Sequence, residues 1–247
     1  PIEPSSMTRW RKRVGVEEAE ALLSQTIPTA KDQGYLKRRQ CERVSVDTTV
    51  QTKAIRYPTD ARLYDRMREK LVKEAKSEGI NLRQSYERVG KKSLRRQQNY
   101  AHARQMKRAA RETRQLKTLL GRVVRDIERK APEPSQKMSE RLTIAKRLLE
   151  QERRSKNKIY SIHEPHVECI AKGKVHQRYE FGCKVGFVVS GKGNWILGAQ
   201  AFSGNPYDGH TLKKSLDQAQ RLTPMKIEQA VVDLGYRGHG IKDAKID

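Results

Sequence analysis

A strongly basic tract between residues 61 and 158 constrains the fold of this chain more than any other feature. Its apolar residues recur at helical spacing, as Leu63, Met67 and Leu71 do, so the tract predicts a series of amphipathic helices. It holds 30 Lys and Arg against 12 Asp and Glu, and residues 91–125 hold 12 against one. Because solvated helices usually mix both signs in i,i+4 pairs, such a surface repels itself unless an anion neutralises it.

The charge of the whole chain points to the same kind of partner. The 247 residues carry a net charge of +24, which favours a polyanion, nucleic acid first, through phosphate contacts and counterion release. A solvated basic surface without a ligand is the weaker alternative, since the surplus is concentrated in one tract. The cations predicted to contact phosphates are Lys91, Lys92, Arg95, Arg96, Arg104, Lys107, Arg108, Arg111 and Arg114.

Cysteine usage and hydropathy bear on the cellular compartment. The three cysteines are widely spaced and form no C-x-x-C pair, which argues against a disulfide framework and a zinc site and favours a reducing cytosol. No apolar run approaches the length of a membrane span, and no signal-peptide pattern opens the chain. We therefore expect a cytoplasmic protein without a membrane partner.

Two strand-like runs outside the basic tract each lead into an aspartate. Val44–Val46 precedes Asp47, and Ala230–Val232 precedes Asp233. The second run is continuous and bounded by glycines, which is typical of a strand buried on both faces. Both carboxylates are predicted at the carboxyl ends of their strands, where open α/β sheets place their chemistry. Each Asp alone is more often a strand-end cap, but two of them beside a basic surface favour a divalent cation.

The order of predicted elements gives the fold class. A strand at Arg43–Val50 is followed by the helical tract, whose first helix begins at Asp60 with Thr59 as its N-cap. Alternating residues then predict an antiparallel hairpin, a helix at Thr211–Leu222 and a last strand at Ile227–Asp233. The sequence therefore predicts an α/β protein with a mixed sheet and a long basic helical insertion after the first strand.

Six short motifs along the chain carry a family resemblance. They are Val46-Asp47-Thr48-Thr49-Val50-Gln51, Tyr57-Pro58-Thr59-Asp60-Ala61, Tyr160-Ser161-Ile162-His163-Glu164-Pro165, Tyr179-Glu180-Phe181-Gly182, Gly204-Asn205-Pro206-Tyr207-Asp208-Gly209-His210-Thr211-Leu212 and Val232-Asp233-Leu234-Gly235-Tyr236-Arg237-Gly238-His239. Each motif alone is weakly specific. Together and in this order, they resemble the DDE-class transposases of bacterial insertion sequences over nearly the whole chain.

The resemblance implies a catalytic core and a reaction. The core would be ribonuclease-H-like, with Asp47 on its first strand and Asp233 on its fourth as the first two acids of a catalytic triad. They would bind Mg²⁺ or Mn²⁺ in a two-metal site for strand cleavage and strand transfer at transposon ends. The partner would be duplex DNA carrying terminal repeats, bound by a homodimer, in the cytoplasm at the nucleoid. Arg237 suits the scissile phosphate, with an ion pair to a nearby carboxylate as an equal alternative.

The resemblance also implies a division of the chain. Residues 1–42 would be part of an N-terminal helical DNA-binding region, 43–58 the first core strand, 59–158 the helical insertion and 159–247 the rest of the core. The family's third acid is a Glu on a later helix, within a Tyr/Arg/Glu/Lys pattern that this sequence does not contain. We therefore expect a fragment truncated at both ends.

Three other carboxylates could replace the missing acid, and none has a strong case. Glu180 is predicted on the strand face opposite the apolar one, at an exposed surface or at the edge of the site. Asp208 is predicted in a turn and Asp243 in a solvated tail. Without a third acid, a catalytically inactive DNA-binding remnant remains an alternative. An RNA-binding structural protein is a third alternative, which accounts for the charge but not for the two strand-end aspartates.

Overall fold

The structure, a computed structural model, describes residues 3–171, 178–241 and 245–247. It combines helices with a mixed sheet, which confirms the predicted α/β class. The chain divides into two compact units, a first unit of Pro1–Gln51 with Cys183–Asp247 and a second unit of Thr52–Gly182. The helical insertion predicted at 59–158 therefore falls inside the second unit, which extends beyond the predicted insertion at both ends.

The elements alternate between helical and extended stretches of the chain. The helices are α1 (Pro4–Arg13), α2 (Val16–Asp32), α3 (Arg38–Glu42), α4 (Asp60–Ser77), α5 (Glu87–His102), α6 (Met106–Lys130), α7 (Gln136–Glu150), α8 (Asp208–Leu222) and a 3₁₀ turn at Leu234–Tyr236. The strands are β1 (Arg43–Thr52), β2 (Glu168–Ala171), β3 (Tyr179–Ser190), β4 (Ile196–Phe202), β5 (Gln229–Val231) and β6 (Lys245–Ile246). None of the described helices has the length and apolar character needed to cross a membrane.

The sheet of the first unit is built around β1. That strand lies between β3 and β5, with β4 beyond β3 and β6 beyond β5. β5 runs parallel to both β1 and β6, whereas β3 and β4 form an antiparallel hairpin from Lys184–Phe202 to Val189–Ile196. The predicted hairpin is confirmed, and the mixture of parallel and antiparallel pairs agrees with the predicted mixed sheet.

One face of this sheet packs against α2 and α8. Val44, Val46, Val188 and Leu197 form a core there with apolar residues of the two helices. β3 turns Gly186 toward α8, because a Cβ added to Gly186 would lie 2.8 Å from the Ser215 hydroxyl. Glycine in a strand often marks such a close approach of a neighbouring element. The face of β3 that looked polar in the sequence is therefore the buried one.

That reversal corrects one sequence interpretation in the second unit. Glu180, at the start of β3, was expected on an exposed face and is only 6% exposed. Alternation along a strand sends every second side chain to the same face. The even-numbered residues of β3 are all buried, so Glu180 follows the face that its glycines define rather than the polarity of its own side chain.

The second unit is a set of four helices with its own core. α4, α5, α6 and α7 pack on one another through residues such as Leu71, Leu120, Ile127 and Met138. Thr59 caps α4 as predicted, since its hydroxyl accepts the Arg62 N–H. In the same unit, β2 pairs with the first four residues of β3. The sequence did not predict β2.

Candidate functional site

Asp47 lies in the middle of β1 rather than at its end. It is the fifth of ten strand residues, so the predicted position at the carboxyl end of the strand is wrong. The physical reason is that Thr48, Thr49 and Val50 continue the β-branched run and favour further extension. Alternation buries Val46 and Thr48 and leaves the Asp47 side chain exposed.

Asp233 lies two residues beyond β5 and begins the 3₁₀ turn. Its carboxylate accepts the Gly235 N–H at 2.8 Å, which is an N-cap contact. The prediction of a strand buried on both faces is wrong here, because Val231 and Val232 are only half-buried. The described helices of the first unit cover one face of the sheet, and Asp233 itself is exposed.

The parallel pairing of β1 and β5 brings the two aspartates into the same register. The ladder pairs Arg43 with Gln229 and ends where Ser45 pairs with Val231. Carried forward by two residues, this register places Asp47 opposite Asp233, and the period of two puts both on the face of Ser45 and Val231. The charges of Asp47 and Asp233 both act on the Tyr236 hydroxyl, so the two carboxylates lie in the same region of the first unit.

Tyr236 is the buried group next to this pair. Its side chain is 1% exposed, and burial raises the pKa of its hydroxyl, with the charges of Asp208, Asp47 and Asp233 acting in the same direction. The Thr48 hydroxyl lies nearby and opposes this effect. Tyr236 therefore stays protonated and neutral at physiological pH. Sequence reasoning missed this role, although Tyr236 stands in the motif that contains Asp233.

Asp208 is engaged by other side chains of the first unit. It is the first residue of α8, which begins three residues earlier than predicted. Its Oδ1 accepts the Thr48 hydroxyl at 2.7 Å and the Lys184 ammonium at 2.9 Å. Lys184 also donates to the Pro206 carbonyl at 2.7 Å. These contacts join β1, β3 and the start of α8, so Asp208 has a structural function.

The described residues supply a pair of carboxylates rather than a larger metal-binding cluster. Within 3–171, 178–241 and 245–247, no group of three His, Cys, Asp or Glu side chains is placed to hold a metal ion. Asp243 lies outside the described residues, and Glu180 belongs to the second unit. Of the carboxylates considered as ligands in the sequence, only Asp47 and Asp233 therefore remain candidates in the described part of the first unit.

The residues that follow Asp233 differ in their surroundings. Arg237 is exposed, and it forms no ion pair with any described carboxylate. His239 accepts the Ile241 N–H at 3.0 Å through Nδ1, in agreement with its interpretation as a loop hydrogen-bonder. Of the two alternatives for Arg237, a free guanidinium available to a phosphate agrees better with these contacts.

The nine predicted phosphate contacts of the basic tract are all exposed, but they do not form one patch. They are Lys91, Lys92, Arg95, Arg96, Arg104, Lys107, Arg108, Arg111 and Arg114. Lys91 and Arg95 line a cavity of about 780 Å³ with Arg56, Arg62 and Arg66. Lys107, Arg111 and Arg114 follow one face of α6. Arg108 instead lies over the Tyr100 ring, 5.7 Å from its centroid.

Few of these nine cations have a counter-ion in the described structure. Lys91 pairs with Glu87 at 2.6 Å. The only acid in residues 91–125, Glu112, is buried and accepts the Ser93 hydroxyl at 2.7 Å. The exposed surface of α5 and the first half of α6 therefore carries an excess of positive charge that the described carboxylates do not neutralise.

Comparison with known proteins adds one partial similarity. No protein-family model matches the chain, and no solved structure matches it. A curated relative, described as an uncharacterized protein ORF8 in the nfe locus of Rhizobium meliloti, is 50% identical over 105 residues, or 42% of this chain and 51% of that protein. The chain thus spans about half the length of the curated relative that it matches. The relative's description assigns it no activity.

Proposed function

We propose that this chain is a DDE-class DNA transposase of an insertion sequence, with Asp47 and Asp233 as two acids of a ribonuclease-H-like core. The observation that carries the proposal is the parallel register of β1 and β5, which leads to two exposed aspartates, Asp47 on β1 and Asp233 two residues beyond β5. The six ordered motifs and the unneutralised cations of the second unit support the same function.

The donor set is compatible with magnesium. Mg²⁺ in phosphoryl-transfer sites is usually held by one or two carboxylates and completes its shell with water and substrate phosphate oxygens. Two exposed carboxylates in the same region of the first unit meet that requirement for one ion. Such an ion supplies Lewis acidity and charge neutralisation at a phosphodiester undergoing in-line displacement. A two-metal site would need a further donor from outside the described carboxylates.

The other residues of the site have complementary functions in the proposal. Arg237 would contact the scissile phosphate through its planar guanidinium, which can form two parallel hydrogen bonds to phosphate oxygens. Tyr236 stays neutral and so adds no negative charge to those of Asp47, Asp208 and Asp233. The contacts of Thr48 and Lys184 with Asp208 fix the start of α8 against β1 and β3. In the second unit, the cations of α5 and α6 would bind duplex DNA.

Cleavage of DNA tests the proposal. A supercoiled plasmid carrying the DNA that flanks the reading frame is incubated with the protein and Mn²⁺ or Mg²⁺, and nicked circles are quantified. Asp47→Asn and Asp233→Asn should each abolish metal-dependent nicking while leaving plasmid binding within about twofold. Asp217→Asn, on the exposed surface of α8, is the matched control. Equal nicking by all four proteins would refute the assignment of the site.

A DNA-binding protein without catalysis is the second candidate. The observation in its favour is that the described residues contain no group of three His, Cys, Asp or Glu side chains placed to hold a metal ion. In the same experiment, this candidate predicts that the unaltered chain binds the plasmid but does not nick it, with either Mn²⁺ or Mg²⁺.

A further inference from the structure

Helix α6 presents a longer row of cations than the predicted contacts. At 100° per residue, the row covers an arc of about 80° on the side opposite the apolar core. Its members are Lys107, Arg111, Arg114, Arg122, Arg125 and Arg129, all of them exposed. The acids of this helix do not neutralise the row as a whole, because Glu112 and Asp126 are buried and Glu128 pairs with Lys146 at 2.6 Å.

The row consists of two clusters with a gap between them. The N-terminal cluster is Lys107, Arg111 and Arg114, and the C-terminal cluster is Arg122, Arg125 and Arg129. The exposed residue of the row between them is the uncharged Thr118. Fourteen residues separate Arg111 from Arg125, which corresponds to about 21 Å along the helix axis. The two clusters are therefore too far apart to hold the same phosphate.

The C-terminal cluster lines a small cavity in the second unit. The cavity has a volume of about 260 Å³ and is also lined by Arg83, Gln84, Tyr86 and Asp126. Asp126, its one carboxylate, is already engaged, since it accepts the Arg83 N–H at 2.7 Å and pairs with Arg129 at 2.5 Å and Lys130 at 3.3 Å. Arg83, Arg122 and Arg125 form no ion pair with any carboxylate in the described part of the chain.

Tyr86 gives this cavity a defined wall. Its backbone has a φ of 54°, in the left-handed region that a bulky residue rarely adopts. Its half-buried ring packs against the helical core, and the Arg122 guanidinium lies over it, 5.9 Å from the ring centroid. Such strained conformations persist where the surrounding structure holds them and are often found at ligand sites. The ring orients Arg122 toward the cavity by a cation–π contact.

We propose that Arg83, Arg122 and Arg125 form a binding site for a backbone phosphate of duplex DNA, separate from the contact made by the N-terminal cluster. Three guanidinium groups suit an anion when the one carboxylate of the cavity, Asp126, is already paired with Arg129 and Lys130, and arginine binds phosphate oxygens in a bidentate manner. Contacts about 21 Å apart are farther apart than the width of a major groove, about 12 Å, so the two clusters would contact different phosphates of the duplex. The proposal rests on the DNA binding of the proposed function.

The salt dependence of binding tests this phosphate site. The affinity of the full chain for a fluorescent 16-base-pair duplex is measured by anisotropy between about 50 and 200 mM salt. Each phosphate contact contributes about −0.9 to the slope of log K against log salt. Arg122→Ala/Arg125→Ala should reduce the magnitude of the slope by about 0.9, the contribution of one phosphate contact, and the affinity at low salt by at least tenfold. Arg122→Lys/Arg125→Lys should restore the slope, because the charges are kept.

Matched variants separate this site from general charge effects and from misfolding. Arg153→Ala/Arg154→Ala removes the same charge from an exposed loop of the second unit and should leave the slope unchanged. Lys107→Ala/Arg111→Ala should lower the affinity independently, so that the two losses in log K add in the quadruple variant. Melting temperatures of all variants, followed by circular dichroism, should stay within a few degrees.

The outcomes distinguish the two proposals. If the cavity variant and the loop control reduce the slope equally, or if the Lys variant fails to restore it, the phosphate site is wrong while DNA binding stands. If the unaltered chain does not bind the duplex, or prefers double-stranded RNA of the same sequence, both the phosphate site and the proposed function are overturned.

Discussion

Asp47 on β1 and Asp233 just beyond β5 each follow by two residues the last residue pair of a parallel ladder, Ser45 with Val231. The two residues are distant in the sequence, with the whole second unit between them. Their alignment follows from the pairing of Ser45 with Val231 and from the period of two along a strand. It is the structural basis for treating them as one site.

Tyr236 should make stability fall at high pH. Its pKa is raised above the ordinary value of 10.0, mainly by burial, so the unfolded chain loses this proton first as the pH rises. The contribution of Tyr236 to stability is complete below about pH 10 and is lost progressively as the pH rises from there toward the raised folded-state pKa. Tyr236→Phe should therefore reduce the decline in melting temperature between pH 9.5 and 11. The exposed Tyr35→Phe should leave it unchanged, and equal slopes in all three proteins would contradict this expectation.

Glu74 should make the second unit sensitive to acid. It is buried and pairs with Lys137 at 2.7 Å and with Arg141, and the hydrogen bond from Lys137 is the main cause of its lowered pKa. The pKa of Glu74 in the folded state lies below the ordinary value of 4.5. The ionised carboxylate therefore stabilises the fold fully above pH 4.5, and this stabilisation is lost as the pH falls through the folded-state pKa.

Glu74→Gln is the corresponding variant. It should lower the free energy of unfolding at pH 7 by about 1.5–3 kcal/mol, typical of a hydrogen bond to a charged group. Its stability should also vary less between pH 5 and 3 than that of the unaltered chain. Glu133→Gln, in the exposed loop before α7, is the control. Urea titrations at each pH measure the free energy of unfolding of both variants and of the unaltered chain. A stability that falls more steeply with acid in Glu74→Gln than in the unaltered chain would contradict a lowered pKa for Glu74.

Two helical glycines of the second unit should respond oppositely to alanine. A Cβ at Gly90 would lie 2.6 Å from Asp65 Oδ1 and 2.8 Å from Arg68 Nε, in a buried ion pair with an N–O distance of 2.7 Å. Displacing that pair should cost more than the roughly 1 kcal/mol that alanine gains over glycine in a helix. At Gly121 the nearest atom is the flexible end of Arg125, 3.2 Å away, so alanine should be stabilising.

Thermal unfolding of Gly90→Ala and Gly121→Ala measures both effects. A higher melting temperature for Gly90→Ala would show that the Asp65–Arg68 pair adapts without loss. A large decrease for Gly121→Ala would show that Arg125 is more tightly held than its exposed side chain indicates.

The approach of α8 to the sheet gives a further prediction. A Cβ at Gly198 on β4 would lie 3.1 Å from the Ala219 Cβ. Gly198→Val should therefore destabilise the first unit by about 1–3 kcal/mol, as overpacking usually does. Ala199→Val, whose side chain is on the exposed face of the same strand, should be neutral within about 0.5 kcal/mol. Denaturant midpoints of both variants test the direction of packing, and the reverse order would place α8 on the other face.

Local patterns were sufficient to predict several elements of this fold. The β-branched run around Asp47 predicted β1, the alternation after Tyr179 predicted the hairpin, and Thr59 predicted the start of α4. Each depends on residues close together in the sequence. The expectation that Asp47 ends its strand was wrong, because Thr48, Thr49 and Val50 continue the strand beyond it, as the predicted strand at Arg43–Val50 already implied.

Contacts between distant parts of the chain were beyond these patterns. The buried face of β3 was misjudged, because it is set by Gly186, which admits α8, and not by the apolar residues of β3. Tyr236 was missed as a buried group near Asp47 and Asp233, since only the pairing of β1 with β5 brings those residues together. The row on α6 could have been predicted in full, because Arg122, Arg125 and Arg129 continue the spacing of Lys107, Arg111 and Arg114.

Binding of Mn²⁺ to the free protein tests the central claim most directly, because it requires no DNA and no turnover. Electron paramagnetic resonance measures the loss of free Mn²⁺ signal as the chain is titrated, for the unaltered protein, Asp47→Asn, Asp233→Asn and the control Asp217→Asn. The register of β1 and β5 predicts one saturable site that is weakened at least tenfold by each of the first two substitutions and is unchanged in the control. Equal Mn²⁺ binding by all four proteins would contradict the assignment of Asp47 and Asp233 as a metal-binding pair.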